Sequence, residues 1–186
     1  MVPLKEVISW LDQTLEIDKA KDVACNGLQV EGNPEVNKIV TGVSANLALL
    51  KAAVEANADL VVTHHGLVWG GIQRVVGPLR ERLALLLAQE ISLAAYHLPL
   101  DAHRTLGNNA ELVRVLGLAE VEPFGEYKGQ LIGLRGVQPQ SEMLELFVER
   151  VMRNVHSEPR VFEGGNHMVE KVAVCSGGAP ELVEEA

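Results

Sequence analysis

Two short β-branched runs set the reading of the chain. Lys38–Val43 (KIVTGV) and Leu60–His64 (LVVTH) carry few groups that need water, as expected of strands buried on both faces. A third run, Ile91–His97, is stopped by Pro99, which cannot extend a ladder. Between them the apolar residues change to helical spacing, Leu47, Leu50 and Val54 first, then Leu79, Leu83, Leu86 and Leu87. Ser44 or Asn46 is placed to cap the first of these helices; Pro78 starts the second, which runs to about Glu90. Upstream, Leu4, Val7, Ile8, Leu11 and Leu15 predict an amphipathic helix over 3–16, and Asn26–Gly32 a turn with a short strand. Downstream, Asn108 or Asn109 is expected to cap a helix through Leu112, Val113 and Leu116, ended by Gly117.

Strand and helix thus alternate through residue 118, with connections long enough for helical crossovers. This predicts an α/β fold with a largely parallel sheet in its first domain. The pattern changes near Pro123-Phe124-Gly125. Beyond it lie a strand at Gln130–Leu134, a helix from Ser141 to about Arg153, a weak strand near Arg160–Phe162 and a strand at Lys171–Cys175. A domain boundary is expected near 125, dividing the chain into 1–124 and 125–186. A weak internal repeat relates the two halves: VNKIV at 36–40 lies on VEKVA at 169–173, and Leu49-Leu50 then falls on Leu182-Val183. The second copy stops inside its helix at Ala186. The second α/β domain is therefore expected to be incomplete, and the chain a C-terminally shortened form of a longer protein.

Composition narrows the classes of function. A chain of 186 residues with 47% hydrophobic and 22% charged residues has material for a buried core. Its net charge of −9 and 4% aromatic content argue against a nucleic-acid surface; Arg74, Arg80 and Arg82 form a small basic cluster that reads as a solvated helix face. Cys25 and Cys175 lie in no CxxC and read as buried or half-buried thiols in a reducing compartment. With no signal-peptide core and no apolar run near the roughly 20 residues of a membrane span, a cytoplasmic location is expected.

The chemistry gathers where the buried strands end. His64 and His65 close one strand; Tyr96-His97-Leu98-Pro99-Leu100-Asp101-Ala102-His103 closes the next. Open α/β sheets place their ligands at this carboxyl edge. Strand neighbours point to opposite faces, so the two histidines are expected to serve two different ions. If the strands are adjacent, His97 and Asp101 reach the same edge. A carboxylate beside two imidazole-held ions offsets their charge, as a dinuclear hydrolytic centre requires. The alternative is a packed or surface histidine pair. His103 lies next to the site in sequence but is not expected to be a ligand, and His156 and His167 are expected to be ordinary exposed histidines. Neither phosphate-binding glycine pattern nor a GxSxG elbow occurs.

With NGLQVEG, KIVTGV, ADLVVTHHG, YHLPLDAH followed by LGNNAELVRVLGL, and VEKVAVCSGG in this order, the chain resembles the GTP cyclohydrolase type 2 homologue family, also called the Nif-three-like family. The resemblance implies a two-domain α/β protein, a ring-shaped homohexamer, and two divalent ions in a cleft of each subunit. His64, His65 and Asp101 match the family's metal ligands, and His97 is a near-site residue. Gly66 stands where many members have proline. Zinc, manganese, iron, cobalt and nickel all suit imidazole and carboxylate donors. The family completes its centre with a histidine and a glutamate in a segment that follows the second repeat; Glu181, Glu184 and Glu185 precede it. Weak or single-ion occupancy and little activity are therefore expected of this chain. The function implied is that of a metal-dependent hydrolase acting on a small molecule, with opening of the guanine imidazole ring of GTP suggested by the name. The alternative is a non-enzymatic metal-binding ring that acts as a scaffold or partner-binding protein, encirclement of nucleic acid being disfavoured by the charge.

Overall fold

Alternation of side chains along the two central strands, Leu60–His65 and Ser92–Ala95, sorts the first hundred residues into helical layers on either side of a sheet. The strand at Ile39–Ser44, expected to be buried on both faces, lies at the sheet edge with Ile39 and Val43 exposed, because one side of it has no neighbouring strand among the described residues. The computed structural model describes residues 1–71, 74–165 and 167–186. The chain divides into two compact units, Met1–Leu100 and Asp101–Ala186.

The first unit contains β1 (Val2–Pro3), α1 (Leu4–Thr14), β2 (Gly27–Val30), β3 (Glu35–Val36), β4 (Ile39–Ser44), α2 (Leu47–Glu55), β5 (Leu60–His65), α3 (Gly77–Ala88) and β6 (Ser92–Ala95). The main sheet has the order β2-β6-β5-β4. β4, β5 and β6 are parallel, as the crossover lengths predicted, and β2 is antiparallel to β6. Val61 and Leu93 pack with Leu50 and Ala53 of α2 and Leu86 of α3. Their strand neighbours Leu60 and Ala94 pack with Leu4 and Ile8 of α1. Because both faces are covered, β6 is buried along its whole length. Asn46 caps α2 by accepting from the Leu49 N–H at 2.9 Å, which leaves Ser44 for another role.

Tyr96, just past β6, is 1% exposed. Its hydroxyl donates to Asp12 Oδ1 of α1 at 2.8 Å, so the phenol ties the sheet to the helix beneath it.

The division into units comes after Leu100, inside the short helix α4 (Leu98–Ala102), and not at the expected change near 125. The second unit contains α5 (Asn108–Leu116), β7 (Ala119–Tyr127), β8 (Gln130–Met143), α6 (Leu144–Val155) and β9 (Met168–Val174). Pro123-Phe124-Gly125 lies within β7, where Pro123 pairs with Leu134. The sheet order is β7-β8-β9, all antiparallel. An edge strand tolerates proline because one side of its backbone needs no ladder partner, which is why this strand reads as a break. β8 runs on through Ser141, so α6 starts later than expected. Arg160–Phe162 forms no strand, and Phe162 is exposed. The segment after β9 is a 3-10 turn at Pro180–Glu184 whose Leu182 packs with Phe124 and Ile132. Helices α5 and α6 pack on Leu134, Val172 and Val174.

α5 begins at a Gly107 cap with no side-chain bond and ends at a left-handed Gly117. The two asparagines expected at its cap turn elsewhere. Asn109 is fully buried: its Nδ2 donates to the carbonyls of Ile132 at 2.7 Å and Asp101 at 3.1 Å, and its Oδ1 accepts from the Ser176 N–H at 2.6 Å. One side chain thereby joins α4, β8 and the end of β9. Among the described residues, no helix is long and apolar enough to cross a membrane.

Two outcomes are expected. Burial, reinforced by the hydrogen bond to Asp12 and its charge, holds the Tyr96 phenol well above its ordinary value. The folded chain keeps this proton after the unfolded chain loses it near pH ~10, so the contribution to stability is whole below that pH and declines as pH rises further. Urea midpoints measured from pH 7 to 11 should fall less steeply above pH ~10 in Tyr96→Phe than in the wild type. Asn109→Ala strands two buried carbonyls and one N–H, at a cost of about 3 kcal/mol, read as loss of hydrogen-exchange protection in β8 and α5.

Candidate metal centre

Parallel pairing brings the ends of two strands to one edge. The β5–β6 ladder pairs Thr63 with Ala95, and the Tyr96 N–H then donates to the Thr63 carbonyl at 2.9 Å. Past this rung stand His64 and His65, the last residues of β5, and His97, two residues beyond the end of β6. One ring nitrogen from each of the three lies within 4.8 Å of the others. The ring centroids of His64 and His65 are 4.4 Å apart, and those of His64 and His97 5.0 Å.

Strand alternation does not separate the paired histidines as expected. Both residues stand at the last positions of β5, and their ring centroids lie only 4.4 Å apart. His97, expected only near the site, is a full member of the cluster. Asp101 belongs to the second unit. There it is 3% exposed, and its Oδ1 accepts from Asn108 Nδ2 at 2.8 Å and Ser176 Oγ at 2.6 Å. His103 is used locally: its Nδ1 accepts from the N–H groups of Thr105 at 3.3 Å and Leu106 at 3.0 Å. His156 is the exposed left-handed cap of α6 and His167 is exposed.

Each ring in the cluster has a protein partner at Nδ1. His64 Nδ1 is 3.0 Å from the Tyr96 carbonyl oxygen, His65 Nδ1 is 3.0 Å from Ser44 Oγ, and His97 Nδ1 is 3.0 Å and 3.1 Å from the two carboxylate oxygens of Asp22. A carbonyl oxygen can only accept, so His64 carries its proton on Nδ1 and its lone pair on Nε2. Histidines that ligate metals have this arrangement, the outer nitrogen held by an oxygen acceptor. Three imidazoles in such an array suit a divalent transition metal. The donor set fits an ion.

The walls of the site were not legible in the sequence. Gln29 Oε1 accepts from the N–H groups of Leu67 at 2.7 Å and Val68 at 3.1 Å, while its Nε2 donates to the Cys25 carbonyl at 2.6 Å. A Cβ at Gly66 would fall 2.3 Å from the Gln29 amide oxygen, so glycine lets the loop close on that side chain. Trp69 donates from Nε1 to the Gly66 carbonyl at 3.2 Å and stands edge-on to His97, with centroids 5.0 Å apart. Asp22 sits on a loop with no recognisable motif. Burial works to raise its carboxyl, but hydrogen bonds from Ala24, Asn26, His97 and Leu98 outweigh that and hold it below the usual value. Signals for Gln29 and Asp22 are absent from periodicity because their partners lie on other segments.

Neither cysteine joins the site. Cys25 is exposed, where a buried or half-buried thiol was expected. Burial, with the carboxylates of Asp101 and Glu181, pushes the Cys175 thiol up, which suppresses its nucleophilic form. Of the small basic cluster, Arg82 donates to the Pro78 and Ala45 carbonyls at 3.0 Å and 3.1 Å and so serves packing.

Comparison with known proteins agrees with the motifs. A protein of Pyrococcus horikoshii called GTP cyclohydrolase 1 type 2 homolog is 43% identical over 182 residues, covering 97% of this chain and 73% of the relative. A relative of the same name from Archaeoglobus fulgidus is 42% identical over 183 residues, covering 98% and 73%. The crystal structure of TTHA1606 from Thermus thermophilus superposes with a TM-score of 0.89 at 36% identity, covering 100% of this chain and 74% of that one. Residues 2–186 match the family profile described as Duf34/NIF3 (NGG1p interacting factor 3), and the chain belongs to that family.

Proposed function

We propose that the protein holds a divalent transition-metal ion on His64, His65 and His97 and that the loaded centre serves a hydrolytic reaction. The observation that carries this reading is the convergence of three ring nitrogens within 4.8 Å, with an oxygen partner behind each ring. A bound ion would supply Lewis acidity, polarising a carbonyl or phosphoryl oxygen and making water more acidic. The protein's part is to hold the rings. The Tyr96 carbonyl keeps the His64 proton on Nδ1, Ser44 orients His65, and the Gln29-anchored loop sets Trp69 against His97. The name shared by the relatives, GTP cyclohydrolase 1 type 2 homolog, supports a small heteroaromatic nucleotide as substrate.

The resemblance also implies a second ion. We carry that ion, Asp101 as a carboxylate ligand, and the hexameric ring as parts of the same proposal, with the sequence motif as their support. A second reading, a metal-binding ring that acts through a protein partner, draws on the family's description as an interacting factor.

Removal of one imidazole separates these parts. Calorimetric titration of the purified chain with zinc is expected to show binding that His64→Ala or His97→Ala weakens by at least about 100-fold. Unchanged affinity in His97→Ala would remove that residue from the site. A loss in Asp101→Asn, with the fold intact by circular dichroism, would support its role as a ligand. Weak turnover of GTP by the metal-loaded chain, lost in His64→Ala, is the outcome expected of the enzyme. Two tightly held ions with no turnover favour the partner-binding reading.

A further inference from the structure

We infer that Trp69 is the residue that receives the flat ring of the substrate at the carboxyl edge of the first sheet. This role rests on the hydrolytic reading above and adds to it the side chain that selects a planar heteroaromatic ring.

Trp69 is half-buried and stands beside the histidine cluster. Its ring centroid is 5.0 Å from that of His97 and 6.1 Å from that of His65. Aromatic rings pack at about 4.5–7 Å between centroids, so the indole continues the surface that the imidazoles form. The backbone around it is held on both sides. Trp69 bridges Ala24, the Gly70 N–H donates to the Val23 carbonyl at 2.6 Å, and the Cys25 N–H donates to the Val68 carbonyl at 3.2 Å. Gly70 then takes a left-handed conformation, and a Cβ on Gly70 or Gly71 would meet nothing within 4 Å among the described residues. These two positions add no side chain to the surroundings of the indole.

The chemistry of the ring narrows what it can receive. An indole has one polar group, the Nε1–H, and here that group donates to the Gly66 carbonyl at 3.2 Å. What remains is a π face and an apolar edge, which recognise another flat ring by stacking and give a phosphate no partner. A tryptophan has few rotatable bonds, and one already held in place loses little freedom when a ring settles on it. The structural alternative is that the indole only packs edge-on against His97 and closes a wall. That role would make zinc affinity depend on Trp69 and would give no preference for a base.

The chain has two tryptophans, and the other, Trp10, is exposed on α1. Trp10→Phe therefore leaves Trp69 as the sole indole fluorophore. With zinc omitted, GTP is expected to quench its fluorescence saturably in this variant, and inorganic tripolyphosphate to leave it unchanged. By calorimetry, Trp69→Leu is expected to weaken GTP binding at least about 10-fold, and Trp69→Phe to stay within about threefold of the wild type. Zinc affinity in Trp69→Leu is expected to match that of the wild type. Absence of quenching by GTP, equal quenching by tripolyphosphate, or unchanged GTP affinity in Trp69→Leu overturns the assignment. So does a joint loss of zinc and GTP affinity in Trp69→Leu, which marks the indole as a structural wall. Where Trp69→Leu does not fold, the Trp10→Phe titrations decide. Stacking on Trp69 with two tightly held ions and no turnover counts against the hydrolytic reading and leaves the ring site standing. Turnover with wild-type GTP affinity in Trp69→Leu does the reverse.

Discussion

The last rung of the β5–β6 ladder is the contact on which the candidate site depends. The Tyr96 N–H reaches the Thr63 carbonyl at 2.9 Å and aligns the ends of two parallel strands. In a parallel pair both strands finish at the same edge, so the residues after the rung must emerge side by side. His64, His65 and His97 are those residues. A slip of one position would turn the histidines of one strand to the wrong faces and bring apolar side chains to the edge. The burial of Val61 and Leu93 against one helical layer and Leu60 and Ala94 against the other opposes such a slip, because the same move would expose the core.

Behind the rings lies a layer of polar groups whose satisfaction is part of the fold. The Tyr96 carbonyl serves His64 while its hydroxyl serves Asp12, so one residue faces both the site and α1. Ser44 is released for His65 because Asn46 takes the capping task. Asp22 gathers donors from two segments around a buried charge. Unpaired, each of these groups would cost on the order of 1–3 kcal/mol or more; paired, they restrict the rings to one orientation. Rigidity of this kind is what a first coordination sphere needs from the protein around it.

The second unit solves a similar problem with asparagine. Asn109 replaces a helix cap with three bonds to separate segments, and Asn108 and Ser176 hold the Asp101 carboxylate. Propensity predicted capping because asparagine favours it in isolation. Tertiary partners won because a buried amide with three matched groups is more stable there than at an exposed helix end. The strand through Pro123-Phe124-Gly125 was missed for a related reason: proline and glycine read as punctuation, yet an edge strand accommodates both.

The sequence by itself determined the α/β alternation of the first hundred residues, the largely parallel sheet, and the edge at which its chemistry gathers. These follow from local apolar runs, helical spacing and connection length, which are properties of neighbouring residues. It also marked His64 and His65, through a pattern break at the end of a buried strand. Only the tertiary structure decided that the two rings meet, that His97 joins them, and that Tyr96, Ser44 and Asp22 stand behind the three. Those outcomes depend on strand register and on hydrogen bonds between segments distant in the chain, for which no periodicity exists to be read.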